Sequence, residues 1–190
     1  ISYHTGTVCL LAPYTIDRVR APRPNEAWQI GRDLVHAMPE HPEGRRYRLR
    51  KNLYPVDGTD QDWMRHAHGT LAYIVEGSHH NPEDRATRLA SVAALRPLVP
   101  ALMDRVLDGP RVAVVTVDPD GNPVEAVVTT DAEVLHADEV WTSRPWDGLA
   151  WRPILADGAE RVTATAEGYA PATAAVDPLE PPVSLILAPL

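Results

Sequence analysis

Three residues in the first half of the chain combine a reactive side chain with a position suited to chemistry: His4, Tyr54 and Glu76. His4 lies near the start of ISYHTGTVCLL, an apolar, β-branched run that predicts an interior strand over residues 1–14, closed by Pro13. Glu76 ends LAYIVE, a second short buried strand, and Gly77 follows it. A carboxylate at the tip of an apolar strand is partly desolvated, which suits a general base. A neutral imidazole suits zinc. Tyr54 opens YPVDGTDQDW, a stretch rich in turn formers that predicts a surface loop, 22 residues ahead of the glutamate. His66 and His68 read as part of the same loop, where side chains two apart share a face, and His79-His80 follows Glu76 closely. Each of these residue types also has a purely structural use: a hydrogen-bonded core histidine, a solvated glutamate, a packed tyrosine.

The elements that must hold these residues follow from periodicity and punctuation. After a basic, proline-bearing loop over 18–24, Asn25 begins a helix through Trp28, Ile30, Leu34, Val35 and Met38, with Pro39 ending it. The polar stretch EHPEGRR leads to a short strand within 47–53. Asn81-Pro82 with Asp84 predicts the start of a long helix reaching about Leu107, with Asn81 as the cap and Pro97 and Pro100 kinking or interrupting it. Gly109-Pro110 stops that helix. Beyond it the texture changes. RVAVVTVDPDGNPVEAVVTT reads as a hairpin around Asp-Gly-Asn-Pro, AERVTATAEGYAPATAAV as another strand–turn–strand, and VSLIL as a closing strand. The expectation is two domains, an α/β domain over 1–110 and an all-β domain over 111–190.

Composition narrows the function classes. The chain has 190 residues, a net charge of −8 and a single cysteine. An acidic chain is a poor match for a nucleic-acid backbone, and no apolar run approaches the ~20 residues needed to span a bilayer. Cys9 alone excludes an intrachain disulfide and a cysteine-rich metal site, and its surroundings read as those of a small buried hydrophobe.

Taken together, the residues resemble the zinc carboxypeptidases related to carboxypeptidase A. In that family the last zinc-ligand histidine stands on a strand nine residues before a proline, as His4 stands before Pro13. A helix follows, then a loop whose tyrosine closes over the substrate, matching Tyr54, with an aspartate–aromatic pair matching Asp62-Trp63. The catalytic glutamate ends the next strand, matching Glu76. GLAWRPILADGAERVTATAEGYAPATAAV, with its Trp-Arg pair and Glu-Gly-Tyr turn, is similar to the transthyretin-like sandwich of the regulatory subfamily.

The resemblance implies a mixed, mostly parallel carboxypeptidase-type sheet with helices, followed by the transthyretin-like sandwich. It implies His4 as a zinc ligand, Glu76 as the base, Tyr54 at the scissile amide or the terminal carboxylate, and Gln61 at the floor of the side-chain pocket. It also implies a peptide substrate and a secreted or extracytoplasmic location. Thr15 stands where the regulatory enzymes carry an aspartate that selects basic C-terminal residues, with Asp17 two further on, so that preference is not implied. The family's His-x-x-Glu ligand pair and its carboxylate-binding asparagine and arginines precede the matched region. The expectation is therefore one zinc ligand here, with the others supplied by an N-terminal fragment or companion chain. Two other readings stay open: a related zinc amidohydrolase acting on a small amide or peptidoglycan peptide, and an inactive module that binds peptides or proteins.

Overall fold

The computed structural model describes residues 1–16, 25–131, 139–155, 161–178 and 180–190. The basic loop expected over 18–24, Asp17 and residues 156–160 of the tail motif lie outside the described residues. The chain divides into two compact units. One takes Asn25–Arg65 and Leu71–Leu107 with the start of the chain, and the other takes His66–Thr70 and Asp108–Leu190.

The first unit is built on a four-stranded mixed sheet. The run expected to be one strand is two: β1 (Ser2–His4) and β2 (Cys9–Leu11). The polar Thr-Gly-Thr between them has no apolar side chain to bury, and the chain turns over there. The two strands then flank β4 (Ile74–Glu76), giving the order β1-β4-β2-β3 with β3 (Arg48–Arg50) at the far edge. β1 pairs parallel with β4 and β2 parallel with β3, while β2 and β4 are antiparallel. β1 is thus an edge strand, and His4 is exposed rather than interior.

Helices cover one face of this sheet. α1 (Glu26–Ala37) starts where expected, the Asn25 side chain accepting the Trp28 N–H at 2.9 Å. Its Ile30 and Leu34 pack with Leu10, Tyr73, Val75 and Leu98 into the core of the unit. The long helix of the sequence reading is divided at Arg96-Pro97 into α3 (Arg85–Leu95) and α4 (Leu98–Asp108), since proline has no N–H for the helical ladder. Its cap is Asp84, accepting from Thr87 N at 2.8 Å, and not Asn81, whose amide oxygen instead accepts the Thr5 hydroxyl.

α2 (Asp60–His68) replaces part of the expected loop. Its buried residues Gln61, Asp62 and Arg65 are polar, and two of them find partners in the unit. Asp62 takes the N–H and hydroxyl of Thr15, and Arg65 pairs with Glu26 of α1. No described helix is long and apolar enough to cross a membrane.

The second unit has two three-stranded sheets. One holds β10 (Val183–Ile186), β5 (Arg111–Val117) and β7 (Leu149–Pro153), and the other holds β6 (Val127–Thr130), β8 (Arg161–Thr165) and β9 (Ala172–Ala175). All described pairings are antiparallel except β5 with β10. Both sheets contribute to one core that includes Val112, Val114, Val128, Trp141, Val162 and Leu185. The expected Asp-Gly-Asn-Pro turn forms: Asp118 N–H donates to the Asn122 carbonyl, and Gly121 takes a φ of 86°. Its flanks pair only at Val117 and Pro123 before β5 and β6 part into different sheets. The expected hairpin is therefore a connection between layers, because each flank buries its apolar side chains in the shared core. β8 and β9 do form the expected strand–turn–strand pair.

Candidate functional site

Sheet register brings His4 and Glu76 together. They are direct partners across the parallel pair β1–β4, and Glu76 is in turn the partner of Cys9, which is the partner of Arg48. Directly opposed residues project to the same face of a sheet. A single row across all four strands therefore reads His4, Glu76, Cys9, Arg48, on the face opposite the helices. Ser2, Ile74, Leu11 and Arg50 form the neighbouring row.

Hydrogen bonds fix the segments that leave this row. Gly77 N–H donates to the His4 carbonyl and Gly6 N–H to the Ser78 carbonyl, both at 2.8 Å. The Thr5 hydroxyl donates to the Asn81 side chain at 3.1 Å, and the Tyr47 hydroxyl to the Gly77 carbonyl at 3.2 Å. The Tyr47 phenol is pushed up to about 12, first by burial and then by the charge of Glu43. The carboxyl ends of β1 and β4 open into a cavity of about 340 Å³ lined by His4, Ser78, Asn81, Arg88, Ser91 and Leu95. In open α/β sheets, ligands bind at the carboxyl ends of parallel strands.

The side chains in the row differ in state. Glu76 is 8% exposed, and its Oε2 has no hydrogen-bond partner among the described residues. Gly6 faces that oxygen; a β-carbon there would sit 3.2 Å from it, so a larger residue would press on the carboxylate. His4 is exposed, with Nε2 3.0 Å from the Ser2 hydroxyl, two residues away on the same face. That contact leaves Nδ1 as the ring atom available to a ligand. Cys9 is fully buried, and its thiol is pushed up to about 12 by burial and by the Glu76 charge, against the opposing pull of Arg50. A thiol so held is protonated and inert at neutral pH.

Tyr54 is 67% exposed in the loop between β3 and α2. Gln61 is buried on α2, and neither Nε2 nor Oε1 of its side chain has a partner among the described residues. No hydrogen bond joins Tyr54 or Gln61 to His4 or Glu76 among the described residues. Thr15 is fully buried and tied to Asp62 by its N–H at 2.8 Å and its hydroxyl at 2.6 Å, while its carbonyl accepts from Asn52 at 2.8 Å. His66 and His68 stand on α2, not in an extended loop; residues two apart on a helix point to nearly opposite sides, so the shared face expected of them is absent. His79 accepts a hydrogen bond at Nε2 from Arg45, a guanidinium having only donors to offer.

His4 fits a metal as a single ligand: exposed, on a strand, with one ring nitrogen held by Ser2. Among the described residues no three His, Cys, Asp or Glu side chains gather as a metal-holding group, so His4 is not part of a complete ligand set there. The sequence reading passed over Arg46, Arg48 and Arg50, although their spacing of two in RRYRLR signals one basic strand face. The chain matches no protein-family model and no curated protein.

Proposed function

We propose that His4 and Glu76 are this chain's share of a zinc-dependent centre that hydrolyses the C-terminal residue of peptides in the manner of the carboxypeptidases, with the remaining zinc ligands brought by a companion polypeptide. The observation that supports this reading is the pairing of an exposed imidazole with a buried carboxylate whose Oε2 has no partner, side by side on one sheet face. Folded proteins rarely leave a buried polar atom unpaired, and an active-site role is a common reason for it.

The roles follow from chemistry. Zinc, when bound, polarises the scissile carbonyl and acidifies a water molecule. The Ser2 hydroxyl orients the His4 ring. Glu76 Oε2, unencumbered by any internal hydrogen bond, takes the proton of the attacking water and later hands it to the departing amine. Gly6, with no β-carbon, leaves room beside that oxygen. Tyr54, out in solvent on its loop, would close over the substrate, and Gln61, a buried side chain with no partner among the described residues, would take the part of the side-chain pocket's floor. The second unit, two sheets around one core, is read as the transthyretin-like appendage, and the assembly as secreted.

The test is native mass spectrometry of the purified protein, followed by zinc analysis of the His4→Ala variant. The reading expects a second polypeptide and one zinc ion, lost together on acidification, and lower zinc occupancy in the variant. A bare chain of 20.9 kDa without metal, or unchanged zinc in His4→Ala, would overturn it.

A further inference from the structure

The face that carries Glu76 ends, at its other edge, in a concentration of positive charge. Arg48 and Arg50 alternate with Leu49 on β3, so both guanidinium groups stand on the Cys9/Leu11 face while Leu49 turns toward Gly31 of α1. Arg45 and Arg46 come from the turn just before this strand, and His79 from the segment after β4. Together with Thr7 they line a cleft of about 470 Å³ within the first unit, a size that suits a small ligand. All four arginines are exposed. None of them pairs with a carboxylate among the described residues, although the chain as a whole carries a net charge of −8. Glu76, on the same face, forms no ion pair with any of them.

Four like charges converging on one cleft repel each other, and they do so least when an anion lies between them. Guanidinium groups offer paired N–H donors in a flat fork, which matches the two oxygens of a carboxylate or a phosphate. His79 spends its Nε2 on Arg45, which aligns that guanidinium along the cleft wall. We infer that the cleft formed by Arg45, Arg46, Arg48 and Arg50 is a binding site for a small ligand carrying two or more oxyanion groups. The inference does not depend on zinc or on hydrolysis.

The test is isothermal titration of the whole chain at low ionic strength with two probes, a tetraglutamate peptide and inorganic pyrophosphate, and with tetraglutamine as the uncharged control. Saturable one-to-one binding of either charged probe, weakening as salt rises, is expected, together with none for tetraglutamine. Preference for tetraglutamate identifies peptide carboxylates as the natural source, and preference for pyrophosphate identifies phosphates. Arg48→Ala/Arg50→Ala should weaken binding at least tenfold. Arg46→Ala, which leaves the strand untouched, should weaken it several-fold, and Arg161→Ala in the second unit should change nothing. Absence of saturable binding by both probes would overturn the inference. So would affinity unchanged in both cleft variants, or lost equally in Arg161→Ala.

Discussion

Replacing Glu76 separates what this residue does for the fold from what it does for chemistry. Its side chain is 8% exposed, and Oε2 has no hydrogen-bond partner among the described residues. An unsatisfied buried polar atom costs about 1–3 kcal/mol, and more when charged. Glu76→Met keeps the length of the side chain, removes the charge and places apolar atoms beside Cys9 and Ile74, so it should stabilise the first unit by about 1–3 kcal/mol. Glu76→Gln keeps a polar end group in the same place and should gain less. Urea unfolding of the isolated chain reads this directly, as a higher midpoint with an unchanged slope. If the proposed zinc centre operates, both variants should lose hydrolysis by about 10²–10⁴-fold, the usual worth of a general base, with zinc still bound. A protein stabilised by losing a residue that activity requires shows the trade expected at a functional site. Loss of more than about 1 kcal/mol in Glu76→Met would refute the reasoning, because it would mean that Oε2 makes a contact the fold needs. Near wild-type hydrolysis by Glu76→Gln would remove Glu76 from the mechanism.

Other outcomes follow from the same structure. The Cys9 thiol, held at about 12 when folded, should resist iodoacetamide at pH 9 in the native chain and react once urea unfolds it; rapid native labelling would contradict its burial. Because its folded value lies above its unfolded one, the stability it contributes is complete below about pH 8.5 and is lost as pH rises toward 12, with Tyr47 adding to the loss above about pH 10. Denaturant midpoints measured between pH 8 and pH 11 should fall; a flat profile would count against it. Asp62→Ala leaves the N–H of buried Thr15 without its acceptor and its hydroxyl with Thr59 alone, and should cost about 1–3 kcal/mol, whereas Asp62→Asn, which keeps an acceptor, should cost less; equal costs would show that the charge itself is what holds Thr15. In the second unit Arg152 and Glu139 form an ion pair at 3.7 Å with both side chains 1% exposed, so Arg152→Met should cost about 3–5 kcal/mol by taking the cation away from a buried carboxylate. The double variant with Glu139→Leu should recover much of it, and additive losses would argue against a coupled pair.

How far the sequence carried the fold depended on whether burial was apolar. α1 announces itself because Asn25 caps it and Ile30 and Leu34 recur on one face, and Pro97 marks the break between α3 and α4 by the hydrogen bond it cannot make. α2 is hidden because its buried face is Gln61, Asp62 and Arg65, which no hydrophobic period detects; Thr15 and Glu26 account for the burial of Asp62 and Arg65. The division of the first run into β1 and β2 is hidden because strand-forming residues stand on both sides of it, and only Gly6 between two threonines hints at the reversal. Glu76 at a strand end was legible as a candidate. Its place beside His4 was not, since register between strands about seventy residues apart is set by pairing and not by local pattern.

That pairing has a kinetic side. β1 and β2 run in opposite directions with a tight reversal between them, yet they never pair with each other, because β4 lies between them along its whole length. The nearest partner in sequence is thus the wrong one. Seating Ile74–Glu76 between the two strands closes a loop of about sixty residues where a hairpin would close one of four, and such long-range pairing carries the larger entropic cost. The pairing that seats β4 between β1 and β2 is also the one that sets His4 beside Glu76.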